Sequence, residues 1–103
     1  MDLFNMLKEA QKMQATLSKA RKEVQKLQLN VEKNGIMVTI DGLFKITEFK
    51  INDESLLQDK AKLEKAVKAC LQEAFTKMQD LSKKKMQELL KDLPINELGP
   101  FIS

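Results

Sequence analysis

Residues 28–52 read QLNVEKNGIMVTIDGLFKITEFKIN, and they decide the fold. In 28–33, Leu29 and Val31 alternate with polar residues, the period of a strand with one buried face. Asn34-Gly35 follows, the strongest short hairpin signal, because both turn positions need positive φ. The second strand places Ile36, Val38 and Ile40 on one face, and Asp41-Gly42 repeats the turn chemistry. The third strand, Leu43–Asn52, begins with Phe44 and Ile46 inward and continues with Phe49 and Ile51. Inward positions therefore change from even to odd, which predicts a β-bulge near Thr47-Glu48. Three strands joined by two tight turns make an antiparallel meander.

Outward from the meander the period changes to that of helices. On the N-terminal side, Leu3, Met6, Ala10, Met13, Leu17, Ala20, Val24 and Leu27 step alternately by three and four residues. That spacing keeps one apolar seam facing a partner along a helix from about Asp2 to Leu27, roughly 39 Å long. On the C-terminal side, Asn52-Asp53-Glu54-Ser55 forms a polar junction, with Ser55 and Gln58 reading as the cap of a short turn. Asp59 reads as the cap of a second long helix that runs to about Asp92, where Pro94 ends it. Its stripe is Leu63, Val67, Cys70, Leu71, Ala74, Phe75, Met78 and Leu81, interrupted afterwards by Lys83-Lys84-Lys85.

The expected fold is α+β: α-β-β-β-α, with a three-stranded antiparallel meander flanked by two long helices. One domain over residues 1–93 and a loose tail over 94–103, with Pro94, Gly99 and Pro100, follow from the layout. Both helices outrun so small a sheet. Their overhanging seams must pair with each other or with a second subunit.

The totals narrow the function classes. The chain has 103 residues, 43% hydrophobic and 32% charged, with a formal charge of +3. It contains no apolar run able to span a bilayer and lacks the layout of a signal peptide, so a cytoplasmic protein is expected. With no histidine and one cysteine, it lacks the commonest general acid–base group and the ligands of a tight transition-metal site. No glycine-rich phosphate loop is present, and Asp41, Glu48, Asp53 and Glu54 match no Ca²⁺-binding loop. Catalysis, a cofactor, a metal and a small-molecule substrate are therefore not expected. Cys70 falls among apolar helix positions and reads as a small core residue.

What remains is charge placement. At roughly 100° per residue, Lys8, Lys12, Lys19, Lys22 and Lys26 fall within an arc of about 80° opposite the apolar seam. Asp2, Glu9 and Glu23 lie on one flank, and Arg21 lies near the seam. Such a face is either solvated surface or a phosphate-binding stripe. The clustering of the lysines, without interleaved acids, counts against a merely solvated face and leaves both readings open. Lys83, Lys84 and Lys85 form a second local cluster near the end of the other helix. Lysines without aromatic interleaving suit duplex phosphates better than stacked single-stranded bases, and sparse Arg and Asn imply weak sequence preference.

These residues also carry a family resemblance. Leu7-Lys8-Glu9-Ala10-Gln11-Lys12-Met13-Gln14 resembles the first-helix motif, approximately L-M-K-Q-A-Q-x-M-Q, of the YbaB/EbfC family of bacterial nucleoid-associated proteins. Val38-Thr39-Ile40-Asp41-Gly42 is similar to that family's V-x-I-N/D-G turn, and Ile51 to Leu57 to its I-D-P-S-L-L junction. Leu63-Glu64 with Val67 and Ala74 follows the spacing of its second helix. The usual Gly-rich opening is absent, the first hairpin connection is shorter, and Asn52 and Glu54 stand where Asp and Pro are usual.

The resemblance implies a cytoplasmic, tweezer-like homodimer, associated with the nucleoid, whose helices bind double-stranded DNA with limited sequence preference. Lys8 and Lys12 lie within the matched motif; Lys19, Lys22, Lys26 and Lys83–Lys85 rest on charge and geometry alone. The competing reading is a prefoldin-like interaction or chaperone module without intrinsic DNA binding. A single odd-stranded meander argues against it.

Overall fold

The computed structural model describes residues 2–91. Its elements run α1 (Leu3–Gln25), β1 (Gln28–Lys33), β2 (Ile36–Asp41), β3 (Ile46–Ile51), a 3₁₀ turn η1 (Glu54–Gln58) and α2 (Lys60–Leu89). The sheet is antiparallel, in the order β1-β2-β3. The α-β-β-β-α arrangement read from the sequence is therefore the fold. The expected tail, 94–103, lies outside the described residues.

The first hairpin turns at Asn34 and Gly35, with φ of 54° and 84°, and pairs Lys33 with Ile36. The second connection differs from the tight turn expected at Asp41-Gly42. The strand begins only at Ile46, and the left-handed residue is Phe44, with φ 63°. Asp41 organises the loop instead: its Oδ1 accepts from the Leu43 and Lys45 backbone N–H groups at 2.9 and 3.0 Å. Gly42 is required for a different reason, because a Cβ there would collide with the Val24 carbonyl at the end of α1. Its N–H donates to the Leu27 carbonyl at 2.9 Å, tying the loop to the helix end.

The bulge occurs as expected. Thr39 pairs with Glu48 and Ile40 with Ile46, leaving Thr47 unmatched. This extra residue keeps Ile46, Phe49 and Ile51 on the same face as Ile40, Val38 and Ile36.

Helix α2 lies across β1 and β2. Val31, Ile36, Val38 and Ile40 from the sheet meet Ala66, Cys70, Ala74 and Met78 from α2, with Leu56 of η1 closing one end. Small residues at 66, 70 and 74 let the helix approach the sheet. Cys70 is fully buried, its Sγ 3.6 and 3.5 Å from the Val31 and Ile36 carbonyl oxygens, and burial pushes its thiol pKa up. The α2 cap is Asp59, whose Oδ1 accepts from Lys62 N at 3.1 Å. The short turn before it is capped by Asp53 rather than Ser55: Asp53 Oδ1 accepts from Ser55 N at 3.0 Å and from Ser55 Oγ at 2.6 Å.

Past the sheet, the last turns of α2 run beside α1 in the opposite direction, burying Ala20 and Leu90. The result is an elongated body, 70 × 20 × 16 Å, with a paired-helix arm leaving one end of a small sheet layer.

Candidate nucleic-acid interface

The arm positions the lysines through its seam. Ala20 is buried and Met13, Leu17, Val24 and Leu27 are half-buried, so the seam side of α1 turns inward over its second half. The opposite side, carrying Lys8, Lys12, Lys19, Lys22 and Lys26, is exposed at every one of those positions. The row is long because α1 runs uninterrupted for 23 residues, started by Asp2, whose Oδ1 accepts from Phe4 N at 3.2 Å.

Ion pairing reaches one lysine of this row. Among the described residues, Lys26 pairs with Glu23 at 3.6 Å, whereas Lys8, Lys12, Lys19 and Lys22 have no carboxylate within salt-bridge distance. On α2, Lys60 meets Glu64 and Lys77 meets Glu73, each at 3.9 Å, and Lys33 of β1 also reaches Glu73 at 3.7 Å. Lys33, Lys60 and Lys77 are thus partly neutralised locally, as Lys26 is on α1; among the described residues Lys62, Lys65 and Lys68 of α2 lack such a partner, as the first four lysines of the row do.

Lys83 and Lys84 are exposed and Lys85 is half-buried, all on the stretch of α2 that runs beside α1. The two expected clusters therefore share the arm. They sit on different helices, and three consecutive residues fan around α2, so no single line of charge joins them. Between the helices, Thr16, Lys19, Ala20, Glu23 and Leu89 line a cleft of about 300 Å³.

Phe4 was not among the residues singled out from the sequence. Lys8 Nζ lies 4.8 Å from the centroid of its ring, a cation–π contact at the tip of α1. The i,i+4 spacing of an aromatic and a lysine was the available signal.

The second unused surface is apolar. Ile46 and Phe49 share the α2-side face of the sheet, yet both remain exposed because α2 covers β1 and β2 and leaves β3 open. Phe44 stacks on Phe75 with centroids 6.3 Å apart and a 16° interplanar angle. Beside this pair, Leu63, Val67, Leu71 and Phe75 line an apolar groove of about 540 Å³ along α2. Residues expected to point inward thus face the intended side but are not buried within the chain.

Among the described residues, no group of three or more His, Cys, Asp or Glu side chains could hold a metal ion. No helix there is long and apolar enough to cross a membrane.

Comparison with known proteins agrees with this layout. A protein named a nucleoid-associated protein from Legionella pneumophila is 35% identical over 96 residues, covering 91% of this chain and 86% of its own length. One of the same name from Mycoplasmopsis pulmonis is 32% identical over 103 residues, covering 98% and 97% of the two chains. A third, from Francisella philomiragia, is 29% identical over 107 residues, covering 97% and 96%. The profile of the YbaB/EbfC DNA-binding family matches residues 1–93. The chain belongs to the YbaB/EbfC DNA-binding family.

Proposed function

We propose that this protein binds double-stranded DNA as a homodimer, with weak sequence preference, and organises DNA in the cytoplasmic nucleoid, modulating gene expression indirectly. The observation that carries the reading is the exposed row of α1 lysines, four of them without a carboxylate partner among the described residues. A cation already paired releases little on meeting a phosphate, whereas an unpaired one displaces counterions from the duplex. The relatives' name, nucleoid-associated protein, supports a role at the nucleoid.

The homodimer is supported by the apolar surface left over. Phe44, Ile46 and Phe49 beside the α2 groove leave apolar surface suited to a second copy of the chain across a twofold axis. Two subunits joined there project two arms, and the lysine rows remain free for DNA. Arg21 is the only arginine, so base-edge readout has few candidates and phosphate contact dominates. A prefoldin-like chaperone role gains no support from the single meander.

The test is a triple substitution, Lys12→Glu, Lys19→Glu and Lys26→Glu. It is expected to abolish duplex binding in a gel-shift or anisotropy assay while leaving the sedimentation mass unchanged. Retained affinity would reject the α1 row as the DNA-binding surface.

A further inference from the structure

The tip of α1 carries a group that phosphate binding does not use. The last residue of α1 lining the interhelical cleft toward the tip is Thr16, and Phe4 lies about 18 Å beyond it along the helix. Every residue from Asp2 to Lys12 is exposed, and Phe4 keeps 61% of its surface open. Leu3 and Met6 at the same tip continue the seam that packs on α2 further down. Phe4 does not. It stands 18 residues, five full turns, before Lys22 and so shares that lysine's meridian, and it is about 40° from Lys8. Its ring is held in the cationic row by Lys8 Nζ at 4.8 Å.

We infer that Phe4 is an apolar wedge for duplex DNA, pressed against a base step when the lysines behind it engage the phosphates. The inference rests on the DNA-binding reading above. Charge complementarity names the occupant, because whatever the ring touches must also accept Lys8, Lys12, Lys19 and Lys22 on the same face. A polyanionic duplex meets that requirement, and its charged backbone offers an aromatic ring no favourable contact. Its apolar contacts are the sugars and base faces inside a groove. A ring placed there opens a base step, which costs least at flexible pyrimidine–purine steps and most in stiff A-tracts. Lys8, released from the ring, becomes available to a flanking phosphate. The wedge thus supplies a sequence preference through deformability, without base-edge hydrogen bonds.

The chain lacks tryptophan and tyrosine, so Phe4→Trp installs a single intrinsic fluorophore at the tip. Binding is measured by anisotropy to two labelled duplexes of equal length, one rich in TA steps and one an A-tract, with tryptophan emission followed in parallel. The wild type is expected to favour the TA-rich duplex by about 5–10-fold. Phe4→Ala is expected to lose that preference while keeping the salt dependence, and Phe4→Trp to keep it with emission strongly quenched in the complex. Circular dichroism confirms that both variants retain their helices. Bound Phe4→Trp with unchanged emission, or Phe4→Ala that still discriminates, overturns the wedge and leaves the lysine row standing. Emission that shifts with protein concentration in the absence of DNA makes the tip a contact between copies and also overturns it. A wild type that binds neither duplex overturns the DNA reading itself.

Discussion

Replacing Phe49 by alanine probes whether the open side of the sheet joins two subunits. Phe49 lies on β3 opposite Val38 and keeps 44% of its surface exposed, although its neighbours on that face are apolar. A phenylalanine buries roughly 200 Å², so about 90 Å² of this ring is free to be covered by a partner. At about 25 cal/mol per Å², covering it contributes about 2 kcal/mol. A twofold axis repeats the contact, giving about 4 kcal/mol per dimer, or roughly a thousandfold in the dissociation constant. Phe49→Ala should therefore weaken the dimer by about a hundred- to a thousandfold in sedimentation velocity over a concentration series. Glu48→Ala is the control: Glu48 is adjacent in the chain but pairs with Lys50 on the other side of the strand, at 3.2 Å, so its loss should leave the constant unchanged. A wild type that sediments as a monomer at about 100 μM, or a Phe49→Ala dimer as tight as the wild type, would refute the reasoning; the first corresponds to a free energy too small for the buried area assumed.

Two further predictions concern the connection that holds the arm to the sheet and the cap of η1. Gly42→Ala forces a methyl group into the Val24 carbonyl, where backbone rather than a flexible side chain must give way. A loss of at least ~2 kcal/mol is expected, read as a fall in Tm of roughly 8–16 °C; a Tm within 2 °C of wild type would rule out the close approach. The Asp53 carboxyl is held below its ordinary value chiefly by the hydrogen bond from the Ser55 hydroxyl, then by the Ser55 backbone N–H. Because the folded-state pKa is depressed, its contribution is present above about pH 4 and disappears as pH falls through the folded value. Ser55→Ala should raise the Asp53 pKa toward that of a free aspartate in an NMR titration, and an unmoved value would discount the hydroxyl's role.

Where local chemistry and burial pointed the same way, the fold was legible in the sequence. Asn34-Gly35 specifies its turn because few other pairs tolerate two positive φ values in succession. The even-to-odd change along β3 gave away the bulge at Thr47, since only an extra residue keeps Ile46 and Phe49 on one face. Asp41-Gly42 misled because the same dipeptide served another purpose. Its glycine answers to the end of α1, distant in sequence but packed against this connection, and the positive φ falls on Phe44. Ser55 lost the cap to Asp53, a carboxylate two residues earlier that accepts both the backbone and the hydroxyl of Ser55.

The candidate site was half legible. Helical periodicity placed the five α1 lysines on one face, because a long unbroken helix turns spacing into direction. Periodicity does not give pairing across elements. That Lys33 shares Glu73 with Lys77, while Lys8 to Lys22 lack acidic partners among the described residues, depends on which faces the fold brings together. Nor does apolar patterning tell which inward face is covered. Phe44, Ile46 and Phe49 have the pattern of a core, but a single α2 is too narrow to roof three strands.

The most direct test of the central claim is duplex DNA binding by fluorescence anisotropy from about 50 to 300 mM salt, on protein of known mass in solution. Four or five phosphate contacts per subunit predict a dimer whose log affinity falls against log salt with a slope of about −7 to −9. A slope shallower than about −3, or no binding at 50 mM, would contradict phosphate tracking by the α1 lysines.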